Sequence, residues 1–300
     1  MNGERRFVVT MLVPTFFLLV CFYLYPTLYN LSNSFTDLSL FSMRKGGDWI
    51  GIDNYVELVT SRDFRSVLFN TVVWLTIVGV SVRILLGLGL AFLLTSRTIR
   101  KYRLQTISRV LLLVPWATPP IVAILIWRWM LDPRVGVINE VLLWTGLVAK
   151  PVAFLATANL VWPALITIIT WNTLPLVTLT FMASLQSLPE ELVEAAEVDG
   201  ASRLQVLRYV YIPHLKPAII VMVLMSTFWT FNNFVYVWLT TGAGPGLYTN
   251  VMATEVYIKG FIDGRLGYSS AVGIVMAAIM TAFGILYLRV IAQRELKEVL

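Results

Sequence analysis

Six apolar stretches, each long enough to cross a lipid bilayer, constrain this chain more than any single motif: about 7–29, 67–94, 110–130, 158–182, 218–240 and 268–291. A hydrocarbon core about 30 Å thick is spanned by roughly 20 residues of helix. In that medium every backbone N–H and C=O must find its partner inside the protein, which a helix achieves within its own segment. The runs are continuous rather than alternating, so they read as helices and not as barrel strands. The expectation is an all-α membrane protein with six transmembrane helices, forming one domain over residues 1–300. Charged residues make up only 13% of the chain, about half the usual share of a soluble domain. The first run is preceded by Glu4, Arg5 and Arg6 and could resemble a signal peptide. No small-residue cleavage site follows it, so it reads as an uncleaved span.

The net charge of +6 could suggest nucleic acid, but the basic residues sit at the ends of the apolar runs. Placing the N-terminus inside puts Arg5, Arg6, Arg97, Arg100, Lys101, Arg103, Arg109, Arg203, Arg208, Lys216, Arg289, Arg294 and Lys297 on the inner side. The outer side then holds Arg44, Lys45, Arg62, Arg65, Arg134, Lys150, Lys259 and Arg265. The excess of inner Lys and Arg predicts that both termini are cytoplasmic. Cys21 is alone and His214 is the one histidine, so neither an intrachain disulfide nor a Cys/His metal site can be assembled. No lysine follows a glycine, which excludes a Walker A loop. The sequence predicts no catalytic residue, no metal and no nucleic-acid partner.

One segment interrupts the apolar pattern. Residues 186–216 carry Glu190, Glu191, Glu194, Glu197 and Asp199 beside Arg203 and Arg208, with Gly200 between them. Ser187 and Glu190 have capping-box spacing, predicting a short helix from about Pro189 to Val198. Gly200 suits the left-handed turn that ends a helix, and a second helix follows from about Ser202 to Tyr211. The polarity alone is that of a solvated cytoplasmic loop.

The spacing says more. Glu194-Ala195-Ala196, three residues, Gly200, nine residues and then Val210-Tyr211-Ile212-Pro213 resembles the EAA loop of bacterial ABC importer permeases. Asn70-Thr71, Leu113–Pro120, Trp127–Pro133, Leu185–Glu191, Asp199–Ser202 and Thr241–Pro245 resemble the carbohydrate-uptake branch of that family, the maltose, trehalose and glycerol-phosphate type. Ala243 stands where the family usually has a second glycine. The resemblance implies a type I importer permease fold in the bacterial inner membrane. It also implies a second, non-identical permease, an extracytoplasmic solute-binding protein, and two ATPase subunits that carry ATP and Mg. Glu194, Ala195, Ala196, Asp199, Gly200 and Pro213 would couple the chain to those ATPases.

Within the spans, polar side chains are expensive and tend to face a cavity. Ser226, Trp229, Thr230 and Asn233 recur at i, i+3, i+4 and i+7, the spacing of one helical face. Hydroxyl and amide groups bond sugar hydroxyls, while an indole covers the apolar face of a pyranose. Asn172, Thr173 and Leu176 flank Pro175 on the fourth run and complete the expected substrate path. The alternative for all seven is packing between helices. Pro115, Pro119 and Pro120 read as kink-makers, and Gly87 with Ala91 as a close-packing pair. Arg83 lies midway along the second run, and no Asp or Glu lies within any run. Its counter-charge would come from a partner subunit, from water, or from an anionic cargo such as a phosphorylated or sulfonated sugar. An ion-coupled sugar transporter is the competing function, but it normally needs a titratable carboxylate in the membrane.

Overall fold

The computed structural model describes residues 2–96, 99 and 105–299, with side chains for 7–96, 99 and 105–289. Arg97, Arg100, Lys101 and Arg103, and the side chains of Arg5, Arg6, Arg294 and Lys297, lie outside the described residues. The helices are α1 Phe7–Asn33, α2 Asp53–Thr60, α3 Arg62–Thr95, α4 Gln105–Ala117, α5 Pro120–Met130 and α6 Val137–Trp144. They continue as α7 Ala158–Gln186, α8 Glu190–Val198, α9 Arg203–Phe231, α10 Val235–Thr241, α11 Met252–Tyr257 and α12 Leu266–Val299. Among the described residues the extended structure consists of two isolated bridges, Thr36–Trp49 and Ser39–Arg265. Five helices (α1, α3, α7, α9 and α12) are long and apolar enough to cross a membrane, and α4 with α5 makes a sixth, bent by 96°.

Three spans depart from the sequence expectation, each for a local reason. The second begins at Arg62, so Asn70 and Thr71 lie inside the helix rather than at its opening. The third is broken instead of kinked. Pro120 holds Pro119 in an extended conformation (φ −54°, ψ 139°), as a proline does to its predecessor. Pro119 in turn has no N–H to continue the ladder. The fifth starts at Arg203, well before the expected residue 218, and stops at Phe231 instead of running to 240. Asn232 Nδ2 donates back to Phe228 O at 2.9 Å, while Asn233 Oδ1 accepts from Tyr236 N at 3.1 Å and caps α10. Asparagine side chains compete with the helical backbone in this way. Pro213 is carried inside α9 because a π-helical turn, Leu207–Tyr211, precedes it and relaxes the bonding that proline would break.

Two compact units divide the chain, 1–67 with 252–300, and 68–251. In the first, the last turns of α1 and one face of α2 pack on α12. Asn54 Nδ2 donates to Ser34 O and Thr36 O, both at 2.9 Å. Arg265 grips Glu57 with two nitrogens at 2.7 and 2.5 Å. This hydrogen-bonded pair holds the Glu57 carboxyl below its ordinary pKa. The remainder of α1 presents exposed apolar side chains on every side, a surface for lipid or for another subunit.

The second unit is organised by α3 and α7, which share the most extensive helix interface. Val80, Ile84, Ala91 and Leu94 of α3 pack with Val177, Phe181, Met182 and Leu185 of α7, and with Leu215 and Met222 of α9. A Cβ on Gly87 would stand 2.7 Å from Val177 Cγ1. The small residues Gly87 and Ala91 therefore set the closeness of the two helices, as small residues do inside membranes. His214 Nε2 donates to Ser184 O at 2.9 Å, tying the end of α7 to the start of α9.

Ala243, buried and at φ 66°, occupies a left-handed turn. That conformation costs alanine about 1–2 kcal/mol. Glycine would remove the strain, but would forfeit the buried methyl, about 0.8 kcal/mol, and free the unfolded chain by about 0.4–1 kcal/mol. The terms nearly cancel. Ala243→Gly is expected to change thermal stability by less than about 1 kcal/mol in a melting measurement, which explains how alanine is tolerated here.

Candidate functional site

The break in the third span and the break after α9 open onto one cavity of about 610 Å3 in the second unit. Trp116, Thr118, Pro119 and Pro120 supply one wall; Asn172, Thr173 and Leu176 of α7 another; and Trp229 and Asn232–Tyr236 the third. Asn172 holds the walls together. Its Nδ2 donates to Pro115 O at 2.6 Å and Thr118 O at 3.0 Å where the span breaks; Pro115 O also accepts from Thr118 N at 3.2 Å. Its Oδ1 accepts from Tyr236 Oη at 2.6 Å. Both ends of the Asn172 amide are thus engaged within the chain.

Asn172, Thr173, Leu176, Trp229 and Asn233 come together here, whereas Ser226 and Thr230 do not. Those two are buried away from the cavity, Thr230 against Arg83 of α3. The spacing of Ser226, Trp229, Thr230 and Asn233 does not describe one face because α9 ends before Asn233. Trp116, Thr118, Asn232, Phe234 and Tyr236 also line the cavity, and the periodic pattern of the spans does not single them out. The signal that could have found them is the Phe231–Phe234 run, two asparagines between aromatics inside an apolar stretch, which marks a break.

Arg83 also departs from expectation. It is 1% exposed, so in this conformation it meets neither bulk water, nor a cargo in the cavity, nor a separate subunit. Its Nη1 donates to Thr230 Oγ1 at 3.2 Å, and its Nε has no hydrogen-bond partner. A guanidinium with so little compensation destabilises the fold that contains it. Arg83→Met, which keeps most of the volume, is expected to leave the protein folded with an unchanged or raised melting temperature. A fall of several degrees would show that the charge is stabilised by its surroundings.

The charged segment forms the first suggested helix, α8. The second, expected to end near Tyr211, is the opening of α9 and runs without a break into the fifth span. The cap also lies elsewhere. Ser187 Oγ donates to Ser184 O; the reciprocal capping box is made by Ser202 and Gln205 at the start of α9. The cause is Pro189, which occupies the N-cap position of α8 in place of Ser187. Gly200, at φ 81°, closes α8. Gly200 N donates to Glu197 O at 3.1 Å and Ala201 N to Ala196 O at 2.9 Å, the Schellman pairing of a helix end. Leu192, Glu194, Ala195, Val198 and Asp199 are exposed, and Ala196 is half-buried. Glu194 also stands at a smaller polar cavity with Ser96, Glu190 and Tyr211. Pro213 lies inside α9, beyond the exposed knob. Among the described residues no cluster of His, Cys, Asp or Glu could hold a metal ion.

Residues 83–295 match the family described as binding-protein-dependent transport system inner membrane component. The chain is 32% identical over 295 residues to the sulfoquinovosyl glycerol transport system permease protein of Agrobacterium fabrum, covering 98% of this chain and 92% of that one. It is 31% identical over 242 residues to the trehalose/maltose transport system permease protein MalF of Thermococcus litoralis, covering 81% and 79%. Its fold is similar to a chain in the crystal structure of a bacterial ABC transporter that imports the acidic polysaccharide alginate, with a TM-score of 0.77, 24% identity and 96% of each chain covered. With a family match over more than half its length and a relative aligned nearly end to end, the chain belongs to the binding-protein-dependent inner membrane components and is a permease subunit of an ABC importer, not itself an enzyme.

Proposed function

We propose that the chain forms half of the translocation path of an ATP-driven sugar importer in the bacterial cytoplasmic membrane, with both termini inside. Its two compact units would serve as a single permease domain. The observation that carries this reading is the cavity at the broken spans. Trp116 and Trp229 are half-exposed there, offering indole faces to a sugar ring beside Thr173 and Asn233. Sugar-importing relatives support the same assignment. The other half of the path would come from a second, non-identical permease, and an extracytoplasmic solute-binding protein would deliver cargo. Two ATPase subunits, with ATP and Mg, would dock on the exposed knob built from α8, Gly200 and the start of α9. Glu194, Ala195, Ala196, Asp199 and Gly200 would make that contact, with Pro213 setting the helix that leaves it.

The lining of the cavity contains no carboxylate, so proton coupling has no titratable group to use there. The test is purification of the tagged chain from its native membrane, followed by reconstitution. Co-isolation of an ATPase and a second permease, with sugar uptake that needs ATP, supports the proposal. Proton-dependent uptake by this chain alone would replace it with the ion-coupled reading.

A further inference from the structure

The direction of the hydrogen bonds around the cavity restricts what it can receive. Three hydroxyl-bearing side chains line it: Thr118, Thr173 and Tyr236. Each has already donated its one hydrogen inside the protein. Thr118 Oγ1 donates to Val114 O at 2.7 Å, Thr173 Oγ1 to Ile169 O at 2.7 Å, and Tyr236 Oη to Asn172 Oδ1 at 2.6 Å. Such hydroxyls offer a ligand lone pairs only. The indole faces of Trp116 and Trp229 present the negative side of the ring quadrupole. The donors left in the lining, the side-chain amides of Asn232 and Asn233 and the indole N–H groups, are neutral. No Lys, Arg or His belongs to the lining, and Arg83 lies behind the wall, bonded to Thr230.

We infer that this chain's wall of the path is an uncharged surface of hydroxyl lone pairs, neutral N–H donors and indole faces, built for a saccharide that carries no acid group. The inference rests on the sugar reading above and narrows it. A carboxylate or sulfonate brings negative charge to a wall whose lone pairs, neutral donors and ring faces offer no cation. It would lose its water without gaining a counter-charge, which is strongly unfavourable. A neutral glycoside brings donors to every lone pair and an apolar ring face to the indoles. The wall therefore separates this chain's cargo from the acidic polysaccharide carried by the transporter whose fold it shares.

The experiment uses the assembled importer with its own binding protein, reconstituted in vesicles. It is offered a defined mixture of maltose, trehalose, cellobiose, digalacturonate, a 6-sulfonated methyl glucoside and the common amino acids. The contents are identified by mass spectrometry after ATP-driven uptake. Accumulation of a neutral saccharide, with the two acidic ones excluded, supports the inference. Thr173→Val, which removes one acceptor, is then expected to raise KM for that saccharide by roughly tenfold while the complex stays assembled; unchanged KM would remove Thr173 from the acceptor set. Uptake of an acidic saccharide as well as or better than every neutral one overturns the inference and leaves the sugar reading standing. Accumulation of amino acids alone, or of nothing in the mixture, overturns the sugar reading itself.

Discussion

Gly200→Val is expected to lower ATP-driven uptake at least tenfold while all spans remain inserted. Gly200 sits at φ 81°, where a residue with a Cβ is destabilised by about 1–2 kcal/mol; a β-branched side chain there is a genuine outlier. Among the described residues nothing lies within 4 Å of the position a Cβ would take. The substitution therefore acts in two ways only: by unwinding the turn that joins α8 to α9, and by filling space that a docked partner needs. Gly200→Asn separates them, because asparagine tolerates the left-handed region while still adding bulk. If Asn restores uptake, the turn is what matters; if Asn fails like Val, clearance matters. Glu194→Lys, which reverses an exposed charge on the same knob, is expected to weaken ATPase co-purification through repulsion from a basic partner. Wild-type ATPase recovery and uptake in both the Gly200→Val and the Glu194→Lys variants would reduce the segment to a solvated connector.

How much can be read from the sequence depends on whether local or tertiary forces decide the outcome. Apolar runs of bilayer length locate all six spans, because continuous hydrophobicity leaves a chain in lipid few alternatives. The α8 turn is legible for a similar reason: Gly200 at the end of an acidic short helix has one common use, and its Schellman bonds are local. The ends of the spans are less legible. Asn233 has the spacing of a polar position on a helical face, yet the side chains of Asn232 and Asn233 bond the backbone and stop the helix. Pro119-Pro120 gives the place of the break but not its 96° angle, which requires something to hold the two arms apart. For Arg83, composition shows that no acid shares its membrane depth. Only packing shows that the guanidinium turns inward, to Thr230, since either face of α3 could have met a partner.

Asn172 holds the end of α4 and the break that follows it, and its removal should have the largest effect on the cavity. Asn172→Leu has nearly the same size but deprives Thr118 O of its donor, Pro115 O of the shorter of its two donors and Tyr236 Oη of its acceptor. Each buried polar group left without a partner costs about 1–3 kcal/mol, and the low-dielectric surroundings favour the upper part of that range. The expected total is about 3–5 kcal/mol, larger than most single substitutions produce. The bared Thr118 carbonyl can recover a bond only if α4 and α5 straighten toward each other or admit water, and either change alters the wall that carries Trp116 and Thr118. Uptake is therefore expected to fall at least tenfold, and the melting temperature of the purified complex to fall with it. Tyr236→Phe removes one of the three bonds, leaving both carbonyls satisfied and Asn172 Oδ1 alone without its donor. It should therefore reduce uptake at a cost of about 1–3 kcal/mol, less than that of Asn172→Leu. An Asn172→Leu complex that melts and transports as wild type would show that the break is held by the backbone alone. The graded outcome, severe for Asn172→Leu and milder for Tyr236→Phe, would identify the Asn172 amide as the joint between the broken span and the cavity.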